Sequence, residues 1–449
     1  MSLHKTVQIF PAGQDVDLAQ LIYEDRVHGS LYTNDALFEQ EMRQIFYGGW
    51  VFVGHDSEIP GPGDYQRRTI GREEVIMVRQ KDASIAVLSN RCAHRGNLMC
   101  INKSGKAKYL TCTYHGWVYD LAGKLLDVPY PDGFPRSKEG LGLKALRTEE
   151  YRGFVFATFS QTVGSLDEHL GKAKVLIDRA CDMSPVGRVK LTAGWAKQRY
   201  GANWKMLPEN DTDGYHVNYV HSSFVRVIDS HYNDAAIASE ESLVSQTKDW
   251  GDGHTELYFS PSYTKHMQWL GVSADRFPDY GRLMARRFGA EEADRILREG
   301  PPHAALFPNL FLGEMNIVIF EPISATECIQ WHTPMLLEGV PDELNQRILR
   351  QSEAAMGPSA FLLADDSVIS ERQQIAMRDH GGWLDVSRGL NRDVIGADGV
   401  IAGHVTDECT NRGFWRHYKK VMTAPLPVRR AAAHGEGCVH VEHDNPETA

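Results

Sequence analysis

The sequence has few cysteines, no long apolar segment and no excess of basic residues. Seven cysteines in 449 residues are too few for a disulfide framework. No apolar run approaches the roughly 20 residues of a membrane-spanning helix, and residues 1–10 lack the apolar core and cleavage site of a signal peptide. The net charge of −11 argues against nucleic-acid or anionic-membrane partners, which reward clustered Lys and Arg. These absences predict a cytoplasmic protein with no membrane or nucleic-acid partner.

The length and composition instead indicate a folded protein of two or three domains. The chain is 42% hydrophobic and 24% charged, which is ordinary for a globular protein that buries its own cores. Short β-type runs separated by turn residues are followed by mixed and helical patterns. The expected parts are an N-terminal helical segment (1–39) that packs on the second domain, an all-β domain (40–160), the second domain (161–430) and a loose tail (431–449).

Two short segments each carry one cysteine and one histidine: Cys92-x-His94 and Cys112-x2-His115. Thiolate and imidazole ligands suit zinc, iron or copper. A zinc finger usually places two cysteines on one arm and two histidines on the other, whereas here each arm is mixed. Sorted by type, the four side chains give one iron two thiolates and a second iron two imidazoles, which is the ligation of a Rieske [2Fe-2S] cluster. A tetrahedral zinc site is the alternative.

A second group of ligand-type residues begins at Asp213. Asp213 and His216 share one face of a helix, whereas His216 and His221 are about 140° apart on an ideal helix. The two histidines can therefore share a metal only across a helix end or a local widening. Two histidines and one carboxylate form the facial site of non-haem Fe(II), which leaves coordination positions open. Downstream, Asp365 and Asp366 follow an apolar stripe and are the candidate carboxylates.

With both motifs present, the chain resembles the large (α) subunit of Rieske non-haem iron ring-hydroxylating oxygenases, in particular the benzoate, toluate and anthranilate type. The residues that carry the resemblance are, in chain order, Cys92, His94, Cys112, His115, Asp213, His216, His221 and the pair Asp365-Asp366. The resemblance implies an α+β protein: a small all-β Rieske domain followed by a helix-grip (START-like) catalytic domain around an antiparallel sheet.

The resemblance also implies roles for single residues of the catalytic domain. His216, His221 and Asp366 match the ligands of one Fe(II), with Asp365 as the alternative carboxylate. Asp213 matches an acid that hydrogen-bonds an iron-ligand histidine and, across a subunit boundary, a cluster histidine of the neighbouring chain. Electrons would then cross between chains of a head-to-tail trimer, whose heterologous interface closes as a ring.

The implied reaction is cis-dihydroxylation of an aromatic substrate by O2, as in aromatic hydrocarbon catabolism. No G-x-G-x-x-G fingerprint follows a strand, so NAD(P)H would be oxidised by a separate reductase, with or without a ferredoxin. A small β subunit and an α3 or α3β3 oligomer are implied as well. Monooxygenation or demethylation of an aromatic substrate on the same architecture is the alternative.

The stretch from Glu209 to His216 resembles the benzoate group, because the naphthalene-type version is one residue longer. It favours a substituted monocyclic aromatic substrate, carboxylates included. Asn210 within it is a candidate for the substrate pocket, and a buried capping role fits it equally well. Two other functional classes are an electron carrier and a ligand-binding module without iron. An electron carrier would use only the cluster domain, so most of the chain would have no function. The tail group Cys438, His440 and His443 has no fourth ligand and is not predicted to be a metal site.

Overall fold

The structure is a computed structural model that describes residues 6–9, 14–135, 137–223, 243–357, 360–378 and 382–425. The expected tail 431–449, with its Cys438, His440 and His443, lies outside the described residues. Within the described ranges, no helix combines the length and the apolar composition needed to cross a membrane.

Among the described residues of the N-terminal segment, strands and short 3-10 helices precede an α-helix that begins at Asp35, which differs from the expectation of a helical segment over 1–39. Strand β1 (Thr6–Ile9) pairs with β2 (Gln14–Asp17), and β3 (Arg26–His28) pairs with β23 (Trp383–Asp385) from the C-terminal part of the chain. Helix α1 (Asp35–Glu41) begins where the Asn34 side chain accepts a hydrogen bond from a backbone N–H. Pairing with a distant strand holds β3 extended, and a local pattern cannot reveal such pairing.

Small antiparallel sheets carry the two Cys-His arms. Their strands are β4 (Val51–His55), β5 (Asp64–Ile70), β6 (Glu73–Arg79), β7 (Ile85–Ser89), β8 (Ser104–Lys106), β9 (Leu110–Thr111), β10 (Val118–Tyr119), β11 (Leu125–Asp127), β12 (Arg147–Tyr151) and β13 (Phe154–Thr158). The strand orders are β12-β13-β4, β7-β6-β5-β8 and β11-β10-β9. Ile76, Leu88, Trp117 and Tyr119 belong to one core beneath the arms. The predicted small all-β domain is confirmed.

A long antiparallel sheet dominates the rest of the described chain. Its strands are β15 (Ala196–Tyr200), β16 (Gln246–Gly251), β17 (His254–Tyr258), β18 (His303–Leu306), β19 (Leu310–Gly313), β20 (Asn316–Ser324), β21 (Glu327–Pro334), β24 (Val394–Ile395) and β25 (Ile401–His404). They are ordered β15-β21-β20-β19-β18-β17-β16-β25-β24. Outside this sheet, β14 (Val189–Lys190) pairs with β22 (Leu336–Leu337).

Helices cover the long sheet and carry the second group of ligand-type residues. They are α2 (Leu166–Leu170), α3 (Lys174–Asp182), α4 (Met206–Asp211), α5 (Val217–Val220), α6 (Pro278–Phe288), α7 (Ala290–Glu299), α8 (Asp342–Met356), α9 (Leu363–Ala376) and α10 (Cys409–Thr423). Helix α10 packs against β16 and β17. Gly413 permits this contact, because a Cβ atom there would lie 2.5 Å from the carboxyl carbon of Asp249. A C-terminal helix held against an antiparallel sheet is the predicted helix-grip, α+β arrangement.

A buried ion pair and the hydrogen bonds around it join α1, the start of α4 and α10. Nζ of Lys205 lies 2.6 Å from Oε1 of Glu41, and both side chains are fully buried. The indole N–H of Trp204 and the hydroxyl of Tyr418 donate to the same carboxylate at 2.8 and 2.5 Å. Glu41 ends α1, Lys205 precedes α4, and Tyr418 lies on α10. Because buried charges are costly unless they are paired, this network holds the three helices in one arrangement.

His254 on β17 is a buried histidine whose two ring nitrogens have opposite roles. Its Nε2 lies 2.8 Å from the carbonyl oxygen of His169, and its Nδ1 lies 3.1 Å from the backbone nitrogen of Phe307. The first nitrogen must donate and the second must accept, so the ring is neutral. Burial lowers the pKa of His254 to about 4.

Candidate metal centres

The two Cys-His arms are built as copies of one turn. In each arm the cysteine carbonyl accepts a hydrogen bond from a glycine N–H four residues later: Gly96 to Cys92 at 2.9 Å, and Gly116 to Cys112 at 3.0 Å. Both glycines have left-handed backbones, with φ of 74° and 71°. Glycine adopts this conformation without steric cost. The glycine that follows each Cys-His pair in the sequence therefore closes the turn.

The side chains of the two arms form one pair of thiols and one pair of imidazoles. The side chains of Cys92 and Cys112 are both buried, and the Cys92 thiol helps to lower the pKa of the Cys112 thiol. On the outer side, Nδ1 of His94 and Nδ1 of His115 are 3.1 Å apart, and both rings are half-buried. Sulfur lies on the inner side and nitrogen on the outer side, which is the sorting that a Rieske cluster requires. The four residues fit that group.

Hydrogen-bond donors surround the two sulfur atoms. The Tyr119 hydroxyl lies 3.3 Å from Sγ of Cys92, and Nδ2 of Asn97 lies 3.7 Å from Sγ of Cys112. Burial raises the pKa of Cys112, but backbone N–H groups of the same arm outweigh burial and lower the pKa overall. Such donors stabilise thiolate sulfur and tune an iron–sulfur cluster.

A second centre forms where α5 begins and ends. His216 precedes this four-residue helix and His221 follows it, so a helix end lies between the two histidines, which is one of the two arrangements that the sequence left open. Their Nε2 atoms are 3.3 Å apart, and Oδ1 of Asp366, in the first turn of α9, lies 3.6 and 3.1 Å from them. Ligands about 2.1 Å from a metal and at right angles to each other would be about 3.0 Å apart. The three atoms, called the triangle below, therefore fit one face of a metal site.

One oxygen of the triangle has no hydrogen-bond partner in the described part of the chain, and the carboxylates of Asp213 and Asp365 lie outside the triangle, next to its two histidines. Oδ1 of Asp366 is buried without a hydrogen-bond partner among the described residues, which is costly unless a metal binds there. Oδ2 of Asp365 lies 3.7 Å from Nδ1 of His221, and Oδ2 of Asp213 lies 3.6 Å from Nδ1 of His216. Both acids face the ring nitrogen that points away from the triangle. The geometry thus brings Asp366, and not Asp365, into the triangle.

The structure also shows the surroundings of two further residues, Asn210 and Glu408. Asn210 is half-buried in the last turn of α4, outside the triangle, and its side chain forms no hydrogen bond with a described residue. Glu408, which the sequence analysis missed, directly precedes α10. Burial and then the Asp213 charge raise the pKa of Glu408 to about 7, so the two carboxyl groups lie near each other. A lone acid before a helix is common and gave no usable signal.

Two family models match the chain. A Rieske [2Fe-2S] domain matches residues 49–145, and the catalytic domain of the ring-hydroxylating alpha subunit matches residues 181–424, more than half of the chain. The chain belongs to the ring-hydroxylating α-subunit family. In this α subunit the Cys-His arms are part of a Rieske domain, which excludes the zinc alternative. The match to an enzyme's catalytic domain likewise excludes an electron carrier and an iron-free binding module.

The α subunit is similar to dioxygenase subunits over most of its length. It is 32% identical to the large oxygenase component of the naphthalene 1,2-dioxygenase system of Pseudomonas aeruginosa, covering 87% of this chain and 89% of the relative. It is 30% identical to the alpha subunits of benzene 1,2-dioxygenase and toluate 1,2-dioxygenase from Pseudomonas putida, covering 89% of this chain in both cases and 92% and 88% of the relatives.

Solved structures agree with the sequence relatives. Naphthalene 1,2-dioxygenase with indole bound is 28% identical, with a TM-score of 0.79, covering 90% of this chain and 94% of that one. A quaternary ammonium Rieske monooxygenase, 20% identical with a TM-score of 0.65, shares the fold, covering 89% of this chain and 95% of that one. This α subunit is therefore the oxygenase component of a ring-hydroxylating dioxygenase, with a Rieske [2Fe-2S] cluster and one mononuclear iron. Its electrons come from a separate reductase, so its link to NAD(P)H is indirect.

Proposed function

We propose that this α subunit cis-dihydroxylates a substituted monocyclic aromatic ring. The observation that carries the proposal is the triangle of His216, His221 and Asp366, because three ligands on one face leave the opposite positions open for reactants. The length of the stretch from Glu209 to His216 supports a monocyclic ring. So do the names of two similar proteins, the alpha subunits of benzene and toluate dioxygenases.

In this proposal the triangle holds the mononuclear iron, and Cys92, His94, Cys112 and His115 hold the cluster. When bound, the cluster supplies single electrons and the iron activates O2. The side chains of the protein provide orientation and a site protected from water.

Asp213 and Asp365 orient the two histidines of the triangle. Each carboxylate attracts a proton onto the Nδ1 of its histidine, and this keeps the Nε2 lone pair directed into the triangle. The two carboxylates lie at nearly the same distance from their rings, but the Asp213 side chain is 23% exposed, whereas the Asp365 side chain is 40% exposed. We therefore assign the larger orienting effect to Asp213.

Asp213 also has a second role in the proposal, as a bridge to a cluster histidine of a neighbouring α subunit. Its partial exposure leaves carboxylate surface for such a contact. Electrons would then pass between chains in an α3 ring, or in an α3β3 assembly with a small β subunit, after delivery by the reductase or a ferredoxin. A cytoplasmic location stays a prediction from the sequence.

The reaction is tested with protein purified under anaerobic conditions. About three irons and two acid-labile sulfides per chain, with a Rieske EPR signal, are expected for the two centres. Turnover of toluene with ¹⁸O2 and a suitable reductase should give a diol with two labelled atoms. A single labelled atom would favour the monooxygenase alternative, and full metal content without conversion of any aromatic compound would contradict the proposal.

Electron transfer between chains is tested by co-expressing two defective forms. Cys112→Ser removes the cluster and keeps the triangle, whereas Asp366→Ala does the reverse. Each form alone should be inactive. Mixed oligomers should regain activity if electrons cross between chains, because an intact cluster then lies beside an intact triangle. Inactive mixed oligomers of the correct size would exclude the inter-chain route.

A further inference from the structure

Beside the triangle, buried polar atoms of three residues have no partner. They are the hydroxyl of Tyr200, Oδ2 of Asp211 and Nδ1 of His303, and none of them is hydrogen-bonded to a described residue. Tyr200 is fully buried. An unpaired buried polar atom costs about 1–3 kcal/mol, and native proteins contain few of them. Three such atoms together indicate a hydrogen-bonding ligand.

Different elements bring these three residues together. Tyr200 ends β15, Asp211 ends α4, and His303 begins β18. Nε2 of His303 lies 2.9 Å from the carbonyl oxygen of Asp211, which fixes the ring against the end of α4 and leaves Nδ1 on its other side.

The electrostatics place the same residues next to Asp366. Burial first and the Asp366 charge second raise the pKa of Asp211 well above its ordinary value. Burial, then the charges of Asp211 and Asp366, raise the pKa of Tyr200. Helix α9, which carries Asp366, packs against α4 and β15, and α4 packs against β18, so the three residues lie near one another at the edge of the triangle.

We propose that Tyr200, Asp211 and His303 bind a neutral polar substituent, a hydroxyl or an amino group, on the aromatic substrate. The inference rests on the proposed function and narrows its substrate class. Hydroxyl and amino groups both donate and accept hydrogen bonds, which suits a phenol hydroxyl, a carboxyl oxygen and an imidazole nitrogen. An alkyl substituent would leave all three atoms unpaired, and a site with buried polar atoms discriminates strongly against such an analogue.

A carboxylate substituent is disfavoured at this position. Among the described residues, no Arg or Lys forms a hydrogen bond or ion pair with Tyr200, Asp211 or His303, and the charged neighbours of the first two are acidic. The carboxylates of Asp366, Asp213 and Asp365 already offset the charge of an iron bound in the triangle, so an anion would enter a buried, acidic space without a further counter-charge. The substrate expectation from the sequence, which included carboxylates, is thereby narrowed to neutral polar rings.

The test compares the affinities of the anaerobic holoenzyme for toluene, phenol and benzoate, measured by titration calorimetry. Phenol is expected to bind about tenfold more tightly than toluene, and benzoate more weakly than phenol. Tyr200→Phe should reduce the phenol preference to about threefold or less. Because the Tyr200 hydroxyl has no partner among the described residues of the free protein, this variant should fold and have a melting temperature at least as high as that of the wild type. Asp211→Asn should raise the affinity for benzoate relative to phenol.

Tyr280→Phe is the matched control. The Tyr280 hydroxyl donates a 2.7 Å hydrogen bond to the carbonyl oxygen of Met183 in another core, so its loss should lower the melting temperature and leave the phenol-to-toluene ratio unchanged. Equal affinities for phenol and toluene, a ratio unaffected by Tyr200→Phe, or tightest binding of benzoate would each overturn the inference. If one of these three outcomes occurs and toluene still gives a doubly labelled diol, only the proposed polar pocket is wrong and the proposed function stands. If iron-loaded protein binds and converts none of the three, the proposed function fails as well.

Discussion

The adjacent carboxylates Asp365 and Asp366 provide a matched pair of substitutions at the mononuclear site. Asp366→Ala removes an oxygen that lies 3.1 Å from Nε2 of His221 and 3.6 Å from Nε2 of His216. Asp365→Ala removes an oxygen that lies 3.7 Å from Nδ1 of His221, beyond direct hydrogen-bond distance, on a side chain that is 40% exposed. In the proposed assignment, one substitution deletes an iron ligand and the other deletes only a supporting carboxylate.

The expected losses of iron affinity differ accordingly. Supporting carboxylates typically contribute a factor of about 10–100, and the distance and exposure of Asp365 place its effect near about tenfold or below. Loss of a ligand should exceed the upper end of that range. We therefore expect about two irons per chain for Asp366→Ala and about three for Asp365→Ala after anaerobic dialysis. Iron is measured by mass spectrometry and affinity by chelator competition, while sulfide content and the Rieske EPR signal verify folding. Equal losses, or the reverse order, would refute the assignment of the triangle.

Three further perturbations probe other parts of the molecule. Asp213→Asn should retain both metal centres and lower turnover at least about tenfold, measured with saturating reductase, because an amide orients the histidine more weakly. Lys205→Met should lower the free energy of unfolding by about 3–5 kcal/mol in urea titrations, because Glu41 then stays buried without its counter-charge. Stability should fall as the pH decreases from about 6.5 towards 4, since unfolded His254 binds a proton that the folded ring resists. The slope is about 1.4 kcal/mol per pH unit for one proton, and His254→Gln should remove this contribution.

Each of these perturbations has a defined control. Lys420→Met removes an ion pair to Asp252 in which the lysine is 73% exposed, so it should cost less than about 1 kcal/mol. A similar loss for both lysines would contradict the importance of burial. An unchanged pH slope in His254→Gln would show that other groups cause the acid sensitivity. Loss of iron in Asp213→Asn would make its role structural.

The predictable features were those fixed by residues close together in sequence. The two cluster arms were recognisable because cysteine, histidine and glycine recur at turn spacing in each arm. The angular separation of His216 and His221 indicated a helix end or a local widening between them, and the structure has a helix end. The α+β class and the all-β domain followed from the resemblance and from short β-type runs.

The features that escaped prediction depend on contacts between distant parts of the chain. Sequence could not decide between Asp365 and Asp366, because a one-residue change in helix register exchanges their directions. Tyr200 and His303 lie in ordinary strands and become notable only where α4 meets the long sheet. The extended N-terminal segment likewise depends on pairing between β3 and β23.

The network around Glu41 and Lys205 has a consequence for the order of maturation. The cluster arms belong to a small unit whose last strand ends at Thr158, so the nascent chain can complete that unit early and receive the cluster. The triangle needs Asp366, and α4, which precedes its two histidines in the chain, is held by the network that includes Tyr418. Because domains fold as units during synthesis, N-terminal ones first, we expect the mononuclear iron to enter after the cluster, once the segment that carries Tyr418 has been synthesised.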